Sequence, residues 1–170
     1  MRTRRGLVAL TVAMAVLGIA GLRGRLRRYE IVEASMEPQL YSGDYIIAKV
    51  VNDVLQRGDI VIVAHPEIDG FELAKRVVGL PGELIALRNG QVDIGGAVLA
   101  EPWADGPVHP AGEWQLDDHE IFVLGDNRSV SAADSRTIGP IDTDRVMWKA
   151  IARYWPLGRI GRIATTVSPR

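Results

Sequence analysis

The 170-residue chain contains no cysteine, which excludes a disulfide scaffold, a thiolate metal site and a cysteine nucleophile. Its three histidines, His65, His109 and His119, are scattered and show neither HExxH nor any other paired spacing. Walker and GxGxxG patterns are also absent, so no segment indicates a nucleotide. The sequence therefore predicts no metal and no cofactor.

Acidic residues are absent from the first 28 positions, which hold seven arginines and carry a charge of +7. Residues 29–170 carry −8, so the near-neutral total of −1 averages two unlike pieces. The seven cations flank an apolar run in one short arm instead of forming a patch on a globular surface. This arrangement argues against a nucleic-acid partner.

The apolar run Gly6–Leu22 has 17 residues, no charge and one hydroxyl. As a helix it would span roughly 25 Å, slightly less than the ~30 Å hydrocarbon core, and flanking arginine stems could cover the difference. We favour a transmembrane anchor (6–22) between a basic tail (1–5) and a basic juxtamembrane segment (23–29). A cleaved signal peptide and a buried core helix are the alternatives. Because arginine lies on both sides, charge indicates no membrane orientation.

The rest of the chain has the pattern of a β protein. Short apolar runs are bounded by Gly, Pro, Asp and Asn, and no segment keeps a helical period for three turns. Asn89-Gly90 lies between two such runs and predicts a type I′ hairpin. We therefore expect a mainly β fold: an antiparallel β-sheet catalytic domain (30–160) with a small β-rich insertion (83–118), preceded by one N-terminal transmembrane helix and followed by a tail (161–170).

Lysine is rare, with three residues against 17 arginines. Unlike arginine, a desolvated lysine can lose its proton and act as a base. If residues 71–79 form a strand, alternation places Lys75 on the apolar face of Leu73 and Val77, which would lower its pKa. A lysine at the sheet margin with its ammonium group in water is the alternative.

Ser35 is a candidate nucleophile because it ends a short β-like run just before a turn that contains Pro38. A hydroxyl there can be exposed while its backbone is held in place. An ordinary turn serine is the other interpretation of this position.

Four segments, in order along the chain, resemble boxes of the bacterial type I signal peptidases, and a fifth is similar to the usual C-terminal end of that family; the match covers roughly residues 30–160. The first boxes correspond to Ser35–Leu40 with Gly43-Asp44 and to Arg57–Val61; the lysine box, the last box and the usual C-terminal end correspond to Lys75–Glu83, Gly125–Arg128 with Asp134–Arg136, and Tyr154–Leu157.

The resemblance implies a membrane-bound serine endopeptidase that removes signal peptides from exported preproteins. Ser35 would attack the scissile carbonyl, and neutral Lys75 would act as the general base. Arg76 and Asp126 would form a supporting ion pair. Small residues at −1 and −3 of an extended substrate would fill shallow pockets. The family also implies a single-pass protein of the cell membrane, with its catalytic domain on the extracytoplasmic side and the lipid bilayer as a partner.

Two departures from the family pattern affect the site. Many relatives have a hydroxyl or glycine two residues before the nucleophile, where this chain has Glu33. If Glu33 shares a strand face with Ser35, its charge would oppose the oxyanion and favour protonated Lys75; the alternative is that it turns outward into solvent. The last box also contains one extra residue. We choose Ser131 as the serine that orients the lysine, because the competing position is Ala132.

Two other functions remain as alternatives. One is a self-cleaving Ser/Lys peptidase of related fold, of the repressor type, which would need a DNA-binding module that residues 1–28 do not supply. The other is a catalytically weak, membrane-tethered β-domain that binds exported peptides, and Glu33 is its best support.

Overall fold

The computed structural model describes residues 24–163, which form two antiparallel β-sheets. The strands, in chain order, are β1 (Leu26–Glu30), β2 (Tyr45–Val50), β3 (Ile60–Ala64), β4 (Glu72–Gly79), β5 (Leu84–Arg88), β6 (Gln91–Ile94), β7 (Ala97–Val98), β8 (Gly112–Gln115), β9 (Glu120–Leu124), β10 (Ile141–Asp142), β11 (Val146–Trp155) and β12 (Gly161–Arg162). Helices within residues 24–163 are short: 3-10 turns at Ala34–Met36, Thr143–Arg145 and Leu157–Arg159, and one α-helix, α1 (Ser135–Ile138). The expectation of a mainly β, antiparallel fold is confirmed.

The larger sheet has the order β1-β2-β11-β3-β4-β9-β10, with β12 paired to β11. Its centre is β3, where alternate side chains enter different core clusters. Ile60 and Ile62 pack with Met36 and Leu40, whereas Val61 and Val63 pack with residues of β4 and β9. Because β3 is buried on both faces, it reads in sequence as a continuous apolar run. Because β3 pairs with β4, it fixes the position of that strand.

The smaller sheet has the order β7-β6-β5-β8 and is made from residues 84–115. Its β5–β6 hairpin turns at Asn89 and Gly90, whose φ angles of 52° and 77° are those of the predicted type I′ turn. Ile85, Leu87 and Val92 pack against Val78 of β4 and Phe122 of β9. The small sheet is thus attached to the strands that carry the site described below.

Two ends of the chain differ from the expected boundaries. The segment 23–29, expected as a juxtamembrane connection, contributes most of β1, which pairs with β2 as the edge of the larger sheet. Charged, exposed side chains are common on edge strands, so the arginines of this segment did not signal a strand. Residues 161–162, expected in a tail, form β12. The proposed anchor at 6–22 lies outside the described residues. Within residues 24–163, no helix is long and apolar enough to cross a bilayer.

Candidate active site

Ser35 lies on the 3-10 turn Ala34–Met36. Strand β1 already ends at Glu30, so Ser35 follows a short segment outside the strand, in which Ile31 still forms backbone hydrogen bonds with Gly43 and Asp44. Met36, the last residue of the turn, and Leu40, four residues later, are fully buried in the core and fix its position. The carbonyl oxygen of Ser35 accepts a hydrogen bond of 3.1 Å from the backbone N–H of Asn127. The serine is therefore held from both its core side and the loop after β9.

Lys75 lies on β4 and is 2% exposed, so the buried interpretation of this lysine is the correct one. Leu73 and Val77 point to the same face, as alternation requires. Nζ of Lys75 donates a hydrogen bond of 2.9 Å to Oγ of Ser35. Burial lowers the pKa of Lys75, and the carboxylates of Asp134 and Glu33 partly oppose that shift. A lysine with a depressed pKa in contact with a serine hydroxyl has the geometry of a nucleophile and its base.

An open groove of about 300 Å³ leads to this pair. It is lined by two extended segments, 29–33 and 71–75, together with Ser35, Met36 and Ile62. Strand β4 pairs with β3 from Glu72 to Arg76, but its pairing with β9 begins only at Arg76. Residues 72–75 therefore have one edge without a strand partner among the described strands. Such an edge can accept an added strand.

A loop between β9 and α1 carries Ser131 and Asp134, both buried. The hydroxyl of Ser131 donates to Oδ2 of Asp134 across 2.7 Å. The same carboxylate accepts from the backbone N–H of Gly125 and from the guanidinium of Arg136. Burial alone would raise the pKa of Asp134, but the hydrogen bonds of Arg136 and Ser131 outweigh it and hold the pKa below its ordinary value. The described hydrogen bonds of Lys75 include Ser35 but not Ser131.

Arg136 ties this loop to its surroundings. Besides Asp134, its guanidinium donates to the carbonyl oxygens of Ser131 (2.5 Å), Arg128 (3.0 Å) and His109 (2.7 Å). Asp134 and Arg136 belong to the segment that resembles the last box, and the sequence predicts no role for either. Their signal in sequence was the Asp-Ser-Arg tripeptide, which does not indicate which residues the two side chains contact.

Arg76 and Asp126 form a bidentate ion pair with distances of 2.7 and 2.6 Å, and each side chain is 1% exposed. Arg76 also donates to the carbonyl oxygen of Gly58, and the ring of Trp103 lies 4.8 Å from its guanidinium carbon. Arg76 directly follows Lys75, and Asp126 precedes the Asn127 that holds Ser35. The pair therefore links the strand of the lysine to the loop of the serine.

Glu33 is exposed and lines the groove. Its backbone is extended, and it precedes the 3-10 turn without a side-chain capping bond. The premise that it shares a strand face with Ser35 is wrong, because the strand ends three residues before Glu33. The two residues instead share the groove. Among residues 24–163, no group of three or more His, Cys, Asp or Glu is arranged to hold a metal ion.

Comparison with known proteins gives one consistent match. Residues 4–155 match the model of the family described as signal peptidase, peptidase S26. A probable signal peptidase I-2 from Synechocystis sp. is 31% identical over 180 residues, which covers 94% of this chain and 81% of the relative. Signal peptidase IB from Staphylococcus aureus (strain COL) is 28% identical over 172 residues, covering 88% of each. The solved structure of a signal peptidase I from Enterococcus faecalis V583 is 28% identical, with a TM-score of 0.49 and coverage of 55% of this chain and 94% of that one.

Proposed function

The chain belongs to the signal peptidase family, peptidase S26, and from this membership we propose that it is a membrane-bound serine endopeptidase. It cleaves N-terminal signal peptides from exported preproteins after small residues at −1 and −3. The observation that carries the proposal is the 2.9 Å contact between Nζ of Lys75 and Oγ of Ser35 at the end of an open groove.

The reaction begins with Lys75 in its neutral form, which burial favours. The Ser35 hydroxyl then donates its proton to Nζ while Oγ forms a bond to the scissile carbonyl carbon. The backbone N–H of Ser35 helps to stabilise the oxyanion. The resulting Lys75 ammonium protonates the departing amine, and water hydrolyses the acyl-enzyme with Lys75 again as the base. No metal or cofactor takes part in these steps.

The substrate binds as an extended segment along the groove. The unpaired edge of residues 72–75 supports strand addition, in which backbone hydrogen bonds supply affinity and alternate side chains enter the groove. The apolar lining from Ile31, Met36, Ile62 and Leu73 suits small side chains at −1 and −3. This mode of binding leaves the intervening side chains at the mouth of the groove.

Three side chains support the dyad without reacting. Ser131 orients Lys75 from the loop after β9, and its own hydroxyl is oriented by the bond to Asp134. The ion pair of Arg76 and Asp126 fixes the strand of Lys75 relative to the loop after β9, which contacts Ser35. Residues 6–22 anchor this domain in the cell membrane, with the catalytic domain on the extracytoplasmic side.

A catalytically weak, membrane-tethered domain that binds exported peptides is the second candidate. The exposed carboxylate of Glu33 in the groove favours it, because a negative charge there opposes formation of an oxyanion. Such a domain would bind the peptide in the same groove and at the same strand edge but would not cleave it.

Cleavage of a preprotein by the detergent-solubilised full chain separates these functions. We expect wild type to release the signal peptide, Ser35→Ala and Lys75→Ala to be inactive, and Lys49→Ala, a lysine paired with Asp53 on another part of the sheet, to cleave normally. Preprotein binding without cleavage by wild type would favour the binding domain. Cleavage that survives both dyad substitutions would contradict the assigned residues.

A further inference from the structure

Glu33 differs from the other acidic side chains of the groove in having no partner within residues 24–163. Glu72 forms an ion pair of 3.3 Å with Arg27, and Glu30 lies beside the hydroxyl of Tyr45. No ion pair or side-chain hydrogen bond of the described residues involves Glu33. Its carboxylate is exposed to whatever enters the groove.

The position of Glu33 along the groove is the end at which bond cleavage would occur. The two lining segments run from Tyr29 and Glu72, at one end, to Glu33 and Lys75 at the other. Ser35 lies only two residues after Glu33. A substrate residue next to the scissile bond must therefore pass close to the Glu33 carboxylate.

When Lys75 is neutral, as the proposed reaction requires, every charged side chain that lines the groove is acidic. Besides Lys75, the charged side chains of the lining are Glu30, Glu33 and Glu72. Lys75 contributes no positive charge in its neutral form, and Arg27 offsets Glu72 at the far end. The Glu33 carboxylate, which also interacts electrostatically with Lys75, therefore favours a positively charged substrate side chain nearby.

Alternation in an extended substrate decides which of its side chains meets this potential. If −1 and −3 point into the groove, then −2 and +1 point towards its mouth. These two positions flank −1 on either side and lie on the exposed side of the groove, where Glu33 also lies.

We propose that Glu33 is a specificity-determining residue that selects substrates with a cationic side chain at −2 or +1 over substrates with an acidic side chain there. The proposal rests on the peptidase function proposed above and adds a substrate class to it.

The test uses the full chain in detergent and peptides with alanine at −1 and −3. Lysine, glutamine or glutamate occupies −2 in one series and +1 in the other, and kcat/KM is measured for each. We expect wild type to prefer the lysine peptide over the glutamate peptide by about two- to fivefold in at least one series, as for an exposed ion pair. Glu33→Gln should reduce this ratio to near one, and Glu33→Lys should invert it. The preference should also shrink at high salt.

The ratio between two peptides cancels any general change in dyad reactivity, so the change of this ratio on Glu33→Gln reports on the Glu33 charge. Asp118→Asn, which removes an exposed carboxylate at another site, should keep the wild-type ratio. Equal rates for lysine and glutamate peptides in wild type, or a ratio that survives Glu33→Gln, would overturn the proposal while leaving the peptidase function intact. Failure to cleave every peptide, at the level of Ser35→Ala, would contradict the proposed function and this inference with it.

Discussion

The hydroxyl of Ser131 donates a hydrogen bond of 2.7 Å to the carboxylate of Asp134, in a loop that also contacts Ser35. Because the hydroxyl proton of Ser131 points to Asp134, the lone pairs of Oγ can accept a hydrogen bond from another donor. We therefore expect Asp134 to act as a positioning residue through Ser131, the serine proposed to orient Lys75. The charge of Asp134 also favours the protonated form of Lys75.

Two substitutions separate the hydroxyl from the charge. Ser131→Ala removes one hydrogen bond, so we expect it to lower the free energy of unfolding by about 1–2 kcal/mol and to lower kcat with little change in KM. Asp134→Asn leaves the buried guanidinium of Arg136 without its anion, so we expect a loss of about 3–5 kcal/mol. Urea unfolding and steady-state kinetics measure both. Equal losses of stability in the two variants would contradict a separate role for the charge.

The pH dependence of Asp134→Asn provides a second measurement. Removing this carboxylate lowers the pKa of Lys75, so the rise of activity with pH should occur at lower pH although kcat is reduced. A purely structural role for Asp134 would reduce the rate without moving this rise.

Glu33 affects the same titration from the exposed side of the groove. Its carboxylate raises the pKa of Lys75, so Glu33→Ser should increase the fraction of neutral amine near pH 7. We expect cleavage at neutral pH to rise about two- to fivefold, with the two profiles converging at high pH where Lys75 is neutral in both proteins. The pH profile of kcat/KM with a neutral peptide measures this. Unchanged or slower cleavage by Glu33→Ser would reject the effect.

The face of β4 on which Lys75 lies follows from a local pattern, whereas its role as the base is implied by the family resemblance. Period-2 alternation in β4 placed Lys75 beside Leu73 and Val77, and the strand has that alternation. The Asn89-Gly90 turn was equally local, because positive φ at two consecutive residues requires those residue types. Where a few adjacent residues determine the local backbone geometry, that geometry can be predicted from the sequence.

Long-range contacts were not predictable in this way. The guanidinium of Arg136 donates to the carbonyl oxygen of His109, 27 residues away, and the backbone N–H of Asn127 donates to the carbonyl oxygen of Ser35. Strand β11 inserts between β2 and β3, which are neighbours in sequence but not in the sheet. The family resemblance identified Ser35 and Lys75 as a pair, whereas no pattern within the chain related two residues 40 positions apart.

Burial of Lys75 predicts a cost in stability that a neutral side chain would avoid. A lowered pKa means that the folded chain binds fewer protons at Lys75 than the unfolded chain, whose pKa is ~10.4. The free energy of unfolding therefore rises with pH between the folded pKa and ~10.4 and is lowest below the folded pKa. Lys75→Met should remove this slope and raise the free energy of unfolding at pH 7 by about 1–3 kcal/mol, with complete loss of cleavage.

Lys149→Met is the matched control for this stability measurement. Lys149 pairs with the fully buried Asp59 across 2.7 Å, so its removal leaves a buried carboxylate without its cation. We expect this variant to lose about 3–5 kcal/mol, the opposite sign to Lys75→Met. Urea denaturation at several pH values measures both, and destabilisation by Lys75→Met with an unchanged pH slope would show that the desolvated amine is not the source of the cost.

Gly125 packs against both serines of the site, and a side chain there has no space. A Cβ at this position would overlap Cβ and Oγ of Ser131 and would lie 2.6 Å from the carbonyl oxygen of Ser35. Since neither group is the free end of a flexible side chain, one of the two backbones must move. We expect Gly125→Ala to lower kcat/KM by about a hundredfold, because small displacements of reacting groups have effects of that size. Gly158→Ala is the control, since nothing lies within 4 Å of its Cβ, and it should keep wild-type rates. Equal activity of the two variants would mean that cleavage tolerates displacement of Ser35 or Ser131.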